Sequence, residues 1–274
     1  MLKTHVLKPV KGRVIIVGDI HGCVDEFNAL LDKLDVNPKT DKIVLVGDLV
    51  NKGYDSIGTV KRAMGLNCFC VMGNHDAALL TCIDRLREGD IRPEEHPDDQ
   101  LVQLAASFPD TCTRFLRSLP YVLEIPQFDH VVVHAGFNPT KPMHEQNVWD
   151  VLHMRRLSHD GRALDSGTAG TPWAKKWKGP PTVVFGHDAR SGLQQEKFAI
   201  GLDTGCCYGG ELTAYVLPQR ELVSVKGSTR PVAKKPRLPV VHPGGVGDTP
   251  QITLTSCFCR RSAPHLWQPT RTPW

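Results

Sequence analysis

Three β-branched apolar runs, RVIIVGD (13–19), KIVLVGD (42–48) and CFCVMGN (68–74), each end in a glycine followed at once by an Asp or Asn. Runs of this length and composition read as strands. The closing glycine lets another backbone pass close by. Each run precedes a helix-patterned segment: near 24–34, with Phe27, Leu30, Leu31 and Leu34 on one face, near 55–65 and near 76–87. Strand–helix alternation of this kind implies a parallel sheet with ligands at the carboxyl ends of its strands.

The polar residues at those ends form motifs: GDIHG at 18–22, GDLVNKG at 47–53 and GNHD at 73–76, with HAG at 134–136 and GHD at 186–188 later in the chain. Asp19 and His21 are two apart in an extended segment, so their side chains project to one side. Asp48 ends the next strand, where a carboxylate can bridge two cations. Asn74 adds a neutral amide oxygen, and His134 and His187 end strands in the second half. One group (Asp19, His21, Asp48) and another (Asp48, Asn74, His134, His187) would hold two cations about 3.5–4 Å apart. Mixed nitrogen and oxygen donors suit Mn²⁺, Fe or Zn²⁺ better than Ca²⁺. Singly, each motif is compatible with a lone strand-end residue; in order, at strand ends, they point to a two-metal phosphoesterase.

The rest of the chain reads as follows. Residues 88–120 form a helical insertion. Strands at 121–126 and 130–135 make a hairpin across Gln127–Asp129. A helix near 144–157 carries Val148, Val151, Leu152 and Arg155. Strands at 182–186, 198–203, 212–217 and 221–226 complete a second sheet, giving two packed sheets flanked by helices. Seven of the 33 Lys/Arg and one of the 29 acids fall in 228–274, so residues 1–227 carry 26 cations against 28 anions. A basic core would have suggested DNA or other nucleic-acid binding; this one does not. Eight of the 21 prolines also fall after 228, and that segment is expected to be a disordered, basic tail. Its Cys257-x-Cys259 lacks the second pair of a zinc site. The nine cysteines lack disulfide spacing, and neither a signal peptide nor a membrane-length apolar run is present, so a cytoplasmic protein is expected.

The motif series resembles the calcineurin-like metallophosphoesterase superfamily, and within it the ApaH-like phosphatases, the symmetrical diadenosine-tetraphosphatase branch. GNHD, in place of the GNHE of serine/threonine protein phosphatases, and GLDTGCCYGGELTAYVLP at 201–218 carry that placement. The resemblance covers about residues 13–227 and implies a four-layer α/β/β/α sandwich. It implies Asp19, His21, Asp48, Asn74, His134 and His187 as ligands of two divalent ions, with Mn²⁺ first and Mg²⁺ also open. His75 is implied as general acid, and Lys52 and Arg155, rather than Arg156, as phosphate-binding cations. Protein phosphatases have Asp-Arg where this chain has Asn51-Lys52. Asn51 can orient an imidazole but does not stabilise its charge as a carboxylate would, and Lys52 is a point charge rather than a bidentate fork.

The expected activity is therefore hydrolysis of a phosphoanhydride: a dinucleoside polyphosphate, inorganic polyphosphate or a capped RNA end. A phosphoprotein phosphatase is the alternative enzyme, and a degenerate scaffold for protein binding the non-enzyme alternative; the intact ligand set and His75 argue against the scaffold. Asp76 either caps the helix that follows or assists His75. Asp203 supports either a turn or a ligand. Tyr208 is read as a loop tyrosine covering the core in preference to a base-stacking one. Trp173 and Trp177 are read as packing residues, and Arg85, Arg87, Glu88 and Asp90 as a solvated helix end.

Overall fold

A computed structural model describes residues 2–165 and 169–229. In chain order its main elements are β1 (Thr4–Val6), β2 (Val14–Val17), α1 (Val24–Lys33), β3 (Lys42–Leu45), α2 (Ser56–Gly65), β4 (Phe69–Cys70), α3 (Asn74–Glu88), α4 (Gln100–Ser107) and α5 (Asp110–Ser118). The second half holds β5 (Val122–Ile125), β6 (His130–Val133), α6 (Val148–His153), β7 (Arg156–Leu157), β8 (Ala163–Leu164), β9 (Thr171–Pro172), β10 (Thr182–Phe185), β11 (Gln194–Glu196), β12 (Ala199–Gly201), β13 (Glu211–Leu217) and β14 (Glu221–Lys226).

Among the described residues two large sheets form, in the orders β14-β13-β2-β3-β4 and β1-β5-β6-β10-β12-β11, with a small third sheet β8-β7-β9. The two large sheets share an apolar layer. Val14, Ile16, Val44 and Val71 come from the first; Leu123, Val132 and Val184 come from the second. The opposite face of the first sheet buries Ile15, Val17, Ile43 and Leu45 with Phe27, Leu30 and Val60 of α1 and α2. Strands β2 and β3 are buried on both faces, which is why they read as unbroken apolar runs rather than alternating ones.

Several expectations are corrected. The final hairpin, β13–β14, does not belong to the second sheet: β13 pairs antiparallel with β2, Tyr215 opposite Ile16. Every residue of β13 after its first is buried, so it needs partners on both edges and finds them in β2 and β14. The expected strand over 68–73 shortens to Phe69–Cys70, because Val71 and Met72 lead the chain into α3. That helix begins at Asn74, two residues before the expected start. The helix expected over 144–157 spans only Val148–His153. Met154 is extended, and the Arg155 N–H donates to the Leu164 carbonyl, 2.8 Å, drawing the chain into the small sheet. The edge strand β1, parallel to β5, carried no recognisable alternation. From residue 230 onward the expected tail, with Cys257 and Cys259, lies outside the described residues. No helix among the described residues is long and apolar enough to cross a membrane.

Candidate metal centre

The strand ends deliver the motifs to one place. Asp19 follows β2, Asp48 follows β3, Asn74 follows β4, His134 follows β6 and His187 follows β10, so both large sheets contribute from their carboxyl ends. Crowding there explains the glycines. A Cβ on Gly73 would lie 2.1 Å from the Asp48 nitrogen, and one on Gly186 would lie 1.8 Å from Asp19 Oδ1. His21, Asp48, Asn51, Lys52 and His187 all adopt positive φ, between 47° and 70°. Non-glycine residues hold that conformation at a cost, and they cluster where surrounding structure enforces it for function. The first two loops are locked together by His21 N–H to the Asp48 carbonyl and Gly22 N–H to the Leu49 carbonyl, each 2.8 Å.

Ligand atoms of Asp48, His134 and His187 lie within 4.8 Å of one another, as do those of His21, Asp48 and His75. Asp48 therefore belongs to both groups. Asp19, the remaining residue expected in the first group, places its Oδ2 4.0 Å from His21 Nε2. Its carboxylate also accepts the His187 N–H, at 3.0 and 3.2 Å. Asn74, outside those groups by residue type, places Oδ1 2.8 Å from His134 Nε2 and 3.0 Å from His187 Nδ1.

The proton positions show why cations fit. The far nitrogen of each imidazole meets a backbone carbonyl: His21 Nδ1 to Val50 O, 3.0 Å; His134 Nδ1 to Val46 O, 2.9 Å; His187 Nε2 to His153 O, 3.1 Å. A neutral imidazole has one N–H, and these carbonyls take it. Burial holds the three rings neutral: it pushes His134 down to about 3 and His21 and His187 well below the usual range. The inward nitrogens are then lone pairs. They face the amide oxygen of Asn74 and the carboxylate of Asp48, whose Oδ2 is 3.4 Å from His21 Nε2 and Oδ1 3.5 Å from His134 Nε2. Lone pair facing lone pair is unfavourable without a positive centre between them. Burial, with Asp203 and Asp48, pushes the Asp19 carboxyl up, and burial with Asp76 does the same to Asp48. These donors fit divalent cations of the Mn²⁺, Fe and Zn²⁺ type.

Around this centre stand the other expected residues. Asn51 Oδ1 accepts the Lys52 N–H at 2.8 Å, which fixes the amide orientation. Its Nδ2 therefore donates to His75 Nδ1, 3.0 Å, leaving the His75 proton on Nε2. Burial, with Lys52, His153 and Arg155 nearby, lowers His75 to about 4. Lys52 Nζ lies 2.8 Å from His21 Nε2, on the lone pair that a metal would use. A cation held by His21 would compete with Lys52 for that nitrogen and would free the ammonium. Arg155 donates to the His187 carbonyl, 3.2 Å, and pairs with Asp188 Oδ1, 3.5 Å. Arg156 turns away, onto the carbonyls of Ala169 and Gly170.

The Asp76 side chain caps the helix, one of its two expected roles, by accepting the Gly73 N–H. It is fully buried and accepts the backbone N–H groups of Asp48, Leu49 and Gly73, at 2.8, 3.0 and 3.1 Å, tying the loop of Asp48 to the helix of Asn74. Burial pushes its carboxyl up to about 6 against these bonds. Asp203 serves a turn, accepting Gly205 N–H at 3.2 Å, and its charge helps push the Asp19 carboxyl up. Trp173 packs as expected, its Nε1–H on the Ala135 carbonyl, 3.0 Å, and its ring against Gly136. Tyr208 departs from expectation: it is 60% exposed rather than laid on the core. Two further residues support the centre. Asp188, next to His187 in GHD, holds Arg155 and was legible as a paired acid. His153, whose carbonyl orients His187, had no sequence signal because the contact runs through backbone.

Two sheets that bring imidazoles, an amide oxygen and a shared carboxylate together at their strand ends define a metal-dependent phosphohydrolase. The chain belongs to the calcineurin-like phosphoesterase family, whose sequence model matches residues 12–232. Family members use a dinuclear metal centre, and candidate ligands for one are present here. The chain is 30% identical over 267 residues to a symmetrical bis(5'-nucleosyl)-tetraphosphatase of Janthinobacterium sp. (strain Marseille), covering 77% of this chain and 94% of that protein. It is 29% identical to the same-named protein of Shewanella frigidimarina (strain NCIMB 400), covering 77% and 97%. Among solved structures, one described as "a putative diadenosine tetraphosphatase" superposes with a TM-score of 0.76 at 41% identity, covering 84% of this chain and all of that one.

Proposed function

We propose that this protein hydrolyses dinucleoside tetraphosphates symmetrically, giving two nucleoside diphosphates. The observation that carries the reading is the Asn51 amide, which donates to His75 rather than accepting from it. A carboxylate in that place would favour the imidazolium that a poor alkoxide leaving group needs. An amide donor leaves His75 neutral with its proton on Nε2, enough to hydrogen-bond a diphosphate that departs as a stable anion. The names of the relatives support the same substrate class.

Asp19, His21, Asp48, Asn74, His134 and His187 would hold the two ions, Mn²⁺ by preference. Bound there, divalent ions acidify water and offset phosphate charge. Lys52 and Arg155 neutralise the non-bridging oxygens, Arg155 steadied by Asp188. His75 Nε2–H donates to the bridging oxygen that leaves. Asp76 keeps Asp48 and Asn74 in register.

The test is product analysis with purified protein and Mn²⁺ on diadenosine tetraphosphate, tripolyphosphate, capped RNA and a phosphopeptide. Two ADP per diadenosine tetraphosphate are expected. AMP plus ATP would refute symmetric cleavage, and faster phosphopeptide turnover would refute the phosphoanhydride assignment.

A further inference from the structure

Tyr208 is large, apolar over most of its surface, and 60% exposed, yet the loop beneath it is tightly built. It ends a short turn, 206–208, bounded by Gly205 and Gly209, both left-handed at φ 74° and 81°. Tyr208 N–H donates to the Gly205 carbonyl, 2.9 Å, Gly210 N–H to the same carbonyl, 3.0 Å, and Gly227 N–H to the Gly210 carbonyl, 2.8 Å. Below the turn Cys206 is buried. At its entry the Asp203 carboxylate accepts the Gly205 N–H, 3.2 Å, and stands near enough to Asp19 for its charge to push that carboxyl up. The Tyr208 ring lies 5.7 Å from Lys52 Nζ, and that ammonium lies 2.8 Å from His21 Nε2. A closely hydrogen-bonded loop thus holds a largely exposed aromatic ring, one face of it toward the cation assigned to phosphate.

We propose that Tyr208 is the stacking platform for a nucleobase of the substrate, making the site selective for nucleoside-bearing phosphoanhydrides over bare polyphosphates. The proposal rests on the phosphoanhydride reading above. A phosphate on Lys52 brings an attached nucleoside within reach of the ring, and a loop already ordered loses little entropy on stacking. Base–aromatic stacking changes affinity by about 5- to 150-fold.

Binding, not turnover, tests it. Calorimetry with the Mn²⁺-loaded full chain would compare α,β-methylene-ADP with methylenediphosphonate, its base-free and equally non-hydrolysable counterpart. The wild type should bind the nucleotide more tightly. Tyr208→Ala should weaken the nucleotide about tenfold or more and leave the diphosphonate within about twofold, while Tyr208→Phe should keep the preference. Equal weakening of both ligands would mean that Tyr208 merely steadies Lys52 and would overturn the proposal. So would an unaffected nucleotide, or a wild type with no preference. Because no bond is broken, failure to cleave diadenosine tetraphosphate would sink the functional reading without being mistaken for a missing stack.

Discussion

Removing the Asp76 carboxylate should loosen the metal centre without touching the general acid. Its two oxygens accept three backbone N–H groups at 2.8–3.1 Å in a fully buried position. Asp76→Ala leaves those donors unpaired, and each buried donor left without a partner costs about 1–3 kcal/mol. The costs overlap, since all three lie in one small region and a water can enter the space, so a loss of about 4 kcal/mol is expected. For a chain of this size that corresponds to a fall in Tm of about 8–16 °C. Asp48 and Asn74 lose their common anchor, so the affinity for Mn²⁺ should fall with the melting temperature. Calorimetric melting and metal titration of Asp76→Ala and Asp76→Asn, beside the wild type, provide the assay. Asn keeps one acceptor but turns an N–H toward a donor, so it should recover only part of the loss. An unchanged Tm and metal content with a lowered kcat would refute the reasoning, because that is what assistance to His75 would produce.

Replacing His75 with Ala should lower kcat on diadenosine tetraphosphate by about 10²-fold or more, with two metal ions retained by elemental analysis; loss of metal would make His75 a ligand. Asn51→Asp gives the His75 ring an acceptor in place of a donor, so kcat/KM for a phosphoserine peptide, whose leaving group is an alkoxide, should rise relative to that for diadenosine tetraphosphate, and an unchanged ratio would remove the chemical argument for the substrate class. Asp188→Ala removes the carboxylate partner of the Arg155 guanidinium, leaving it on the His187 and Asp165 carbonyls, and should raise KM about tenfold with a smaller change in kcat, measured by steady-state kinetics. The chelated protein should be least stable at low pH. His134 binds its proton only near about 3 when folded but near about 6.5 when unfolded, so stability is lost as pH falls from about 6.5 toward 3, at about 1.4 kcal/mol per pH unit. Melting curves of the chelated protein across that range would show it, and a flat profile would mean the ring is not buried neutral.

Much of the centre was legible because its residues sit where local rules speak loudly. A β-branched run ending in Gly-Asp or Gly-Asn specifies a strand and a close backbone approach, whatever the rest of the chain does. That placed Asp19, Asp48 and Asn74 at strand ends, and Asn51 and Lys52 in the loop beside them. Elements whose state depends on distant partners were not legible. Arg155 has a helical pattern around it, yet Leu164 takes its N–H and pulls it into a strand pair. Strand β13 has the composition of either sheet, and its place beside β2 follows only from burial on both faces. The roles of Asp76 and Tyr208 likewise waited on three dimensions. Asp76 bonds backbone 27 and 28 residues away, which no side-chain pattern encodes. Tyr208 has the composition of a core residue and is held outward by two left-handed glycines. The sequence by itself determined which atoms are available for the chemistry, since ligand types and strand ends are local properties. Only the tertiary structure decided which way their protons and lone pairs point, because that depends on the carbonyls and amides that packing brings against them.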